Sequence, residues 1–139
     1  MDDLIRKSLE VHDILTQYIE IHNDIFKSSL RRIFPIPGVF QAIDFGKHYF
    51  SLSELTDELK YIISGVDDRN GFSRALKEYA QALLQTISLL RDMCGNLHKK
   101  TQGGVSSCSK KQYKADFQAY HSSVERYQFL GDRLNQYLR

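Results

Sequence analysis

Apolar residues recur at helical spacing through the second half of the chain, and this periodicity limits the possible folds more than any other feature. Between residues 72 and 97 they follow steps of four and three, close to a heptad seam, at Phe72, Leu76, Tyr79, Leu83, Ile87, Leu90, Cys94 and Leu97. Residues 113–138 repeat the pattern at Tyr113, Phe117, Tyr120, Val124, Tyr127, Gly131, Leu134 and Leu138. Such seams bury against antiparallel neighbours, so the spacing predicts a third helix over about 72–100 and a fourth that opens with a capping box at Ser109 and Gln112.

The first stretch of helical spacing runs from about Asp3 to Ile33 and is apolar over a wide arc. At about 100° per residue its apolar side chains cover roughly 240° of the helix surface, against about 100° for an ordinary surface helix. They include Leu4, Ile5, Val11, Ile14, Leu15, Tyr18, Ile19, Ile21, Ile25, Phe26, Leu30 and Ile33. This helix is therefore expected either to be central in the domain or to be covered on a second side by another subunit.

The segment between the first and third helices predicts a weaker helical region. Pro35 and Pro37, the only prolines, end the first helix because proline lacks a backbone N–H and restricts the residue before it. Residues 38–50 predict a short irregular helix that is interrupted near Gly46. A Ser-x-x-Glu capping box predicts a clearer start at Ser51. The apolar face of this second part consists of Leu55, Leu59, Ile62 and Ile63.

These elements predict an all-α protein with a single helical-bundle domain over residues 1–139. The expected architecture is an up-down-up-down four-helix bundle with three long helices and one shorter, broken helix. No run of residues shows the two-residue alternation of a half-buried strand. Each long helix of about 30 residues would extend ~45 Å at 1.5 Å per residue.

Composition excludes several classes of protein. Hydrophobic residues make up 42% of the chain and aromatic residues 12%, which is enough for a packed core and argues against disorder. The longest apolar runs are far shorter than the ~20 residues of a membrane-spanning helix, so no transmembrane segment is expected. The first ten residues, MDDLIRKSLE, lack the basic region and apolar core of a secretory signal, which indicates a cytoplasmic protein. Two cysteines, Cys94 and Cys108, are too few for a disulfide framework or a zinc site.

Charge is distributed unevenly along the chain, although the net charge is only +2. Residues 1–70 carry 12 acids and 8 bases, and residues 71–139 carry 5 acids and 11 bases. In an up-down-up-down bundle, the turn near Pro35 and the loop 101–109 lie at the same end. A basic pole is therefore predicted there, formed by Lys27, Arg31, Arg32, Lys99, Lys100, Lys110, Lys111 and Lys114. Beside this basic pole, the proline turn predicts an apolar tip of Phe34, Ile36, Val39 and Phe40.

A basic pole attracts anionic partners, and its field extends over a Debye length of ~8 Å in physiological salt. The favoured partner is an acidic protein. The alternative is a peripheral protein that uses the same pole on an anionic membrane or on nucleic acid, although bases at one tip give a small footprint on a nucleic acid. The ordinary interpretation also stays open, because basic residues are common near helix C-termini and apolar turn residues often fold back over a core.

Motifs for catalysis or metal binding do not occur in the sequence. Di-metal bundles use Glu-x-x-His pairs, which are missing, and the side chains of Glu10 and His12 diverge by about 200° around a helix. His121 and Glu125 are one turn apart but supply a single pair of ligands. The chain is therefore predicted to be non-enzymatic, without cofactor or metal, and a metal-dependent enzyme built on His12, His22 or His121 is the least favoured hypothesis. His22 falls inside the apolar arc of the first helix, which favours a hydrogen-bonded core residue over a ligand.

Two features predict self-association. Tyr113, Tyr120 and Tyr127 are spaced seven residues apart along one line of the fourth helix, which is typical either of a core boundary or of a protein interface. The wide apolar arc of the first helix favours a homodimer, with Ile14 and Ile21 at the edge of that arc. The sequence thus predicts a non-enzymatic, self-associating helical-bundle interaction module that presents its basic pole to an acidic protein partner.

Overall fold

The computed structural model describes residues 2–33, 44–101 and 110–138, with side chains described over 3–26, 44–99 and 111–138. Regular structure in these ranges is entirely α-helical, and no strand occurs in them. The prediction of an all-α protein is confirmed, with helices α1 (Asp2–Ile33), α2 (Phe45–Ser64), α3 (Gly71–Thr101) and α4 (Lys110–Leu138). Within the described residues, none of these helices combines the length and the apolar character that crossing a bilayer requires.

Helices α3 and α4 contact each other in opposite chain directions. The ring of Phe72, at the start of α3, lies 6.2 Å from the ring of Tyr137, at the end of α4. Further along α3, the Thr86 hydroxyl hydrogen-bonds the Ser123 hydroxyl at 2.6 Å, more than a dozen residues earlier in α4. Thr86 also donates to the Ala82 carbonyl, so this buried polar pair is fully satisfied and fixes the register of the two helices.

Helix α1 contacts α2 in opposite directions as well. The Lys7 ammonium donates to the carbonyl of Gly65, just beyond the end of α2. The carboxylate of Asp24, more than two turns before the end of α1 at Ile33, lies 2.5 Å from Nε2 of His48 in the first turn of α2. These contacts are consistent with the predicted up-down-up-down order.

Helix α3 forms the centre of the core, and its predicted seam is confirmed. The seam residues from Phe72 to Cys94 are all buried, and Leu97 is partly buried where the seam ends. Since α3 packs closely on both α2 and α4, its apolar positions have partners along nearly the whole helix. Burial raises the pKa of the Cys94 thiol to about 12, so this cysteine stays protonated, as a buried thiol in an apolar pattern should. Cys108 lies outside the described residues.

The predicted seam of α4 is wrong in one of its two rows. The positions Tyr120, Tyr127 and Leu134 are buried as expected, but the second buried row is Ser123 and Leu130. Val124 is only partly buried, Phe117 and Leu138 are exposed, and so is Tyr113, the first predicted seam residue. The physical reason is that α4 faces two neighbours, so its buried side is turned toward α3, where Ser123 meets Thr86, and the other row lies on the edge toward α1.

The predicted interruption of α2 at Gly46 is also wrong. The helix is shorter than the others, at 20 residues, but continuous from Phe45 to Ser64. Asp44 is its N-cap, and its carboxylate accepts a hydrogen bond from the Lys47 N–H at 3.0 Å. Ser51 therefore lies inside the helix and does not cap it. Residues 38–43 and the predicted cap at Ser109 lie outside the described residues.

Glycines inside the helices mark close approaches between neighbours. A Cβ on Gly95 of α3 would lie 3.1 Å from the ring of Tyr49 in α2, and a Cβ on Gly131 of α4 would lie 3.1 Å from Cε2 of Tyr79 in α3. Each glycine thus lets a tyrosine ring from the next helix lie against the backbone. This packing explains why both glycines occur within otherwise strongly periodic stretches.

Candidate functional site

Three contacts establish which helix ends meet near the predicted basic pole. The rings of Phe26 in α1 and Phe117 in α4 pack edge to face with centroids 5.7 Å apart. A Cβ on Gly46 in α2 would lie 2.8 Å from the imidazole of His98 in α3. Together with the pair of Asp24 and His48, these contacts place the C-terminal turns of α1 and α3 beside the first turns of α2 and α4. We call this the basic end of the bundle.

The structure describes three of the lysine side chains assigned to the basic pole. Lys99 lies near the end of α3, Lys111 and Lys114 lie in the first turns of α4, and all three are exposed. The other members fall on helix segments at the same end, but their side chains are outside the described set: Lys27, Arg31, Arg32, Lys100 and Lys110. The whole apolar tip, Phe34, Ile36, Val39 and Phe40, lies outside the described residues.

Carboxylates at the basic end have other interactions. Asp24 pairs with His48, Asp44 caps α2, and Asp116 accepts a hydrogen bond from the Gln112 amide at 2.8 Å. None of the three described pole lysines forms an ion pair with another described side chain. Their ammonium groups are therefore turned to solvent, where an external anion is able to reach them.

A buried tyrosine cluster joins α1 to α4 next to the basic end. The hydroxyl of Tyr120 is its hub: it hydrogen-bonds the Tyr18 hydroxyl and lies 2.6 Å from Nδ1 of His22. The ring of Tyr127 packs edge-on against the ring of Tyr18, with centroids 6.1 Å apart. On its other contact, the Tyr127 ring lies 6.3 Å from the ring of Tyr79. The hydrogen bond and partial burial of His22 agree with its position inside the apolar arc.

Burial controls the protonation of this tyrosine cluster. It raises the pKa of Tyr18, Tyr79 and Tyr120 far above the ordinary phenol value, so all three hydroxyls stay protonated, and those of Tyr18 and Tyr120 share a hydrogen bond. It lowers the pKa of His22, so the neutral imidazole is favoured. A set of neutral, mutually hydrogen-bonded groups suits a structural connection between two helices. The sequence revealed the line of tyrosines, but it gave no signal that Tyr18 and His22 would meet it from a position about a hundred residues away.

The remaining histidines that the sequence singled out lie apart from one another. His121 is exposed and lies 3.3 Å from Glu125 in the same helix. His12 is exposed on α1. Among the described side chains, no group of three or more histidines, cysteines or carboxylates is arranged to hold a metal ion.

A second charged surface, which sequence reasoning missed, lies between α1 and α2. Glu10 and Asp13 on α1 face Asp57 and Glu58 on α2 across a shallow groove, with the ring of Tyr61 at its edge. Glu10 and Asp13 are three residues apart and share one side of α1, and Asp57 and Glu58 are adjacent in α2. Whether the two pairs lie opposite each other depends on the register of the two helices. These four carboxylates form an acidic patch that is separate from the basic end.

Comparison with protein-family models, with curated proteins and with solved structures gives no match to this chain. Function is therefore inferred from its own residues.

Proposed function

We propose that this chain is a non-enzymatic interaction module: an up-down-up-down helical bundle that self-associates and presents its basic pole to an acidic protein partner. The observation that carries the proposal is the packing of Phe26 on Phe117 at the basic end. These rings bring the C-terminal part of α1 beside the first turns of α4, which supports a single surface formed by pole residues from two helices far apart in sequence.

The electrostatics of the basic end support a protein partner. Cations cluster at one end rather than along a helix face, which matches a compact acidic patch better than the extended phosphate backbone of a nucleic acid. Exposed ion pairs are worth about 0.2–1 kcal/mol each, so three lysines together contribute on the order of tenfold in affinity. Such binding weakens as salt is raised, since the Debye length shortens.

A charge-reversal variant tests the proposal. Lys99→Glu, Lys111→Glu and Lys114→Glu are combined, and binding of a labelled poly-glutamate peptide is followed by fluorescence anisotropy across a salt series. The wild type should bind at low salt, and the variant should bind at least roughly tenfold more weakly. Helicity measured by circular dichroism should be unchanged, because all three side chains are exposed.

A matched control removes the effect of net charge. Lys60→Glu, Arg74→Glu and Arg133→Glu change the charge by the same amount at exposed positions away from the basic end. If both triple variants lose binding equally, overall charge rather than the pole is responsible and the proposal is wrong. Tighter binding to phosphatidylserine vesicles or to an oligonucleotide than to poly-glutamate would favour the peripheral membrane or nucleic-acid alternative instead.

A further inference from the structure

Helix α1 carries an apolar stripe on the side that faces away from the bundle. Its core side is formed by Val11, Ile14, Tyr18 and Ile25, all buried. Roughly 150° around the helix from these residues lies a second row, which we call the outer stripe. It consists of three aliphatic residues, Ile5, Leu9 and Ile19, with two exposed polar residues, His12 and Thr16, between them.

The aliphatic members of the outer stripe are all exposed. Leu9 is 65% exposed, Ile5 44% and Ile19 39%. Ile14, which the sequence placed at the edge of a dimer interface, is only 3% exposed and belongs to the core of the subunit. The wide apolar arc therefore divides into one row used inside the bundle and one row without a described partner.

The spacing of the outer stripe indicates what kind of surface would cover it. Its members follow steps of four, three, four and three, which is the heptad spacing of a helix that packs against another helix. The exposed side chain of Leu138, at the end of α4, extends this apolar surface across the cleft that it lines with His12 and Leu15. The surface thus fits a partner helix laid along α1.

Charges beside the outer stripe match a second copy of the same helix. Arg6 and Glu20 both follow a stripe residue directly, fourteen positions apart, so they lie on the same flank of the stripe. Flanking charges of this kind set the orientation of paired helices. When two copies of α1 pack antiparallel, residues on one flank of the stripe face the same flank of the other copy. Arg6 of each copy then lies near Glu20 of the other copy, so the dimer contains two such pairs. The same register packs Leu9 against Ile19 of the second copy. In a parallel pair, Arg6 would instead lie level with Arg6.

We infer that α1 pairs antiparallel with α1 of a second copy through the outer stripe, forming a twofold-symmetric dimer. The inference rests on the self-association in the proposed function and names its surface. The pairing has two opposing features. The Arg6 guanidinium also forms an ion pair with Asp3 of its own helix. Asp13 follows His12 on the same flank and lies close to the twofold axis, where it meets its own copy. Like charges in this position weaken association, so a dissociation constant in the micromolar range is expected for so narrow an interface.

Sedimentation velocity of the full chain, from micromolar to millimolar concentrations, tests the dimer. The wild type should show a reversible monomer–dimer equilibrium. Leu9→Glu places two charges in the interface and should weaken dimerisation at least roughly a hundredfold. The control is Phe129→Glu on α4: this residue is 62% exposed and lies half a turn around the helix from Tyr120, which contacts α1, so dimerisation should be unchanged.

Charge variants test the orientation. Arg6→Glu alone and Glu20→Arg alone should each weaken the dimer roughly tenfold, and the two together should restore it, because opposite charges then face each other again. Asp13→Asn should tighten the dimer. Failure of the double exchange to restore association would overturn the antiparallel pairing.

The possible failures separate this inference from the proposed function. If the wild type stays monomeric at millimolar concentration, both the α1 dimer and the proposed self-association are wrong. Binding of an acidic partner by the basic pole is not affected by that result, because the charge-reversal variant tests it separately. A dimer that survives Leu9→Glu, or that Phe129→Glu dissociates, overturns the outer stripe as the interface and leaves self-association standing.

Discussion

The hydroxyl of Tyr120 offers the sharpest test of how α1 is held on the bundle. Tyr120→Phe removes a hydrogen bond to Tyr18 and another to His22, while the remaining ring keeps its stacking on Phe26 at 5.8 Å. One buried and one partly buried hydrogen bond, at about 1 kcal/mol each, give an expected loss of about 2 kcal/mol in the free energy of unfolding. For a chain of this size the melting temperature should fall by roughly 8 °C.

The loss is measured by urea unfolding followed by far-UV circular dichroism. The matched control is Tyr113→Phe, which removes an exposed hydroxyl on the same helix and should change the free energy by less than about 0.5 kcal/mol. A double-mutant cycle adds Tyr18→Phe. Because each single variant leaves one hydroxyl without its partner, the double variant should be less destabilised than the sum of the two by about 1 kcal/mol. Equal losses for Tyr120→Phe and Tyr113→Phe would refute the hydrogen-bonded connection between α1 and α4.

Two further predictions concern His22 and the register of α4. Burial lowers the pKa of His22 in the folded chain, so the unfolded chain takes up a proton first as the pH falls through about 6.5, and stability should decrease below that pH. Urea midpoints measured between about pH 7.5 and 5.5 should fall less steeply in His22→Gln than in the control His121→Gln; equal slopes would contradict this assignment. In α4, Leu130→Ala should cost about 2–3 kcal/mol because the side chain is buried, and Leu138→Ala less than about 1 kcal/mol; the reverse order would restore the seam predicted from sequence.

Prediction from sequence was most accurate for α3 because its apolar pattern has a single cause. This helix is covered on two sides along its length, so each seam position from Phe72 to Cys94 is buried and the periodicity directly reports the core. In α4 the pattern mixes two roles. Phe117 packs on Phe26 of α1 while remaining partly exposed to solvent, whereas Tyr120 is buried. Both are aromatic residues at seam positions, so the sequence pattern does not distinguish their burial.

The start of α2 cannot be predicted from its own sequence because a glycine in a helix has two possible causes. Gly46 predicts an interruption, which is the common local effect of glycine. In the structure the absence of a side chain makes room for the imidazole of His98, a residue of another helix. The tyrosine cluster is not predictable from sequence for the same reason. Tyr18 and Tyr120 are 102 positions apart, and only the packing of α1 on α4 brings their hydroxyls together.

The two proposals together constrain the kind of partner the basic pole can serve. In the antiparallel pair, Leu9 of one copy lies beside Ile19 of the other, so the twofold axis crosses α1 near residue 14. The last turn of α1 is about 16 residues from that axis, or ~24 Å, which separates the two basic poles by about 50 Å along a common axis. The poles then point in opposite directions, and a flat anionic membrane could meet only one of them. Two acidic proteins could be bound at once, one at each end. The dimer would therefore act as a bridge between two partners, and Leu9→Glu should abolish bridging while leaving the affinity of each single pole unchanged.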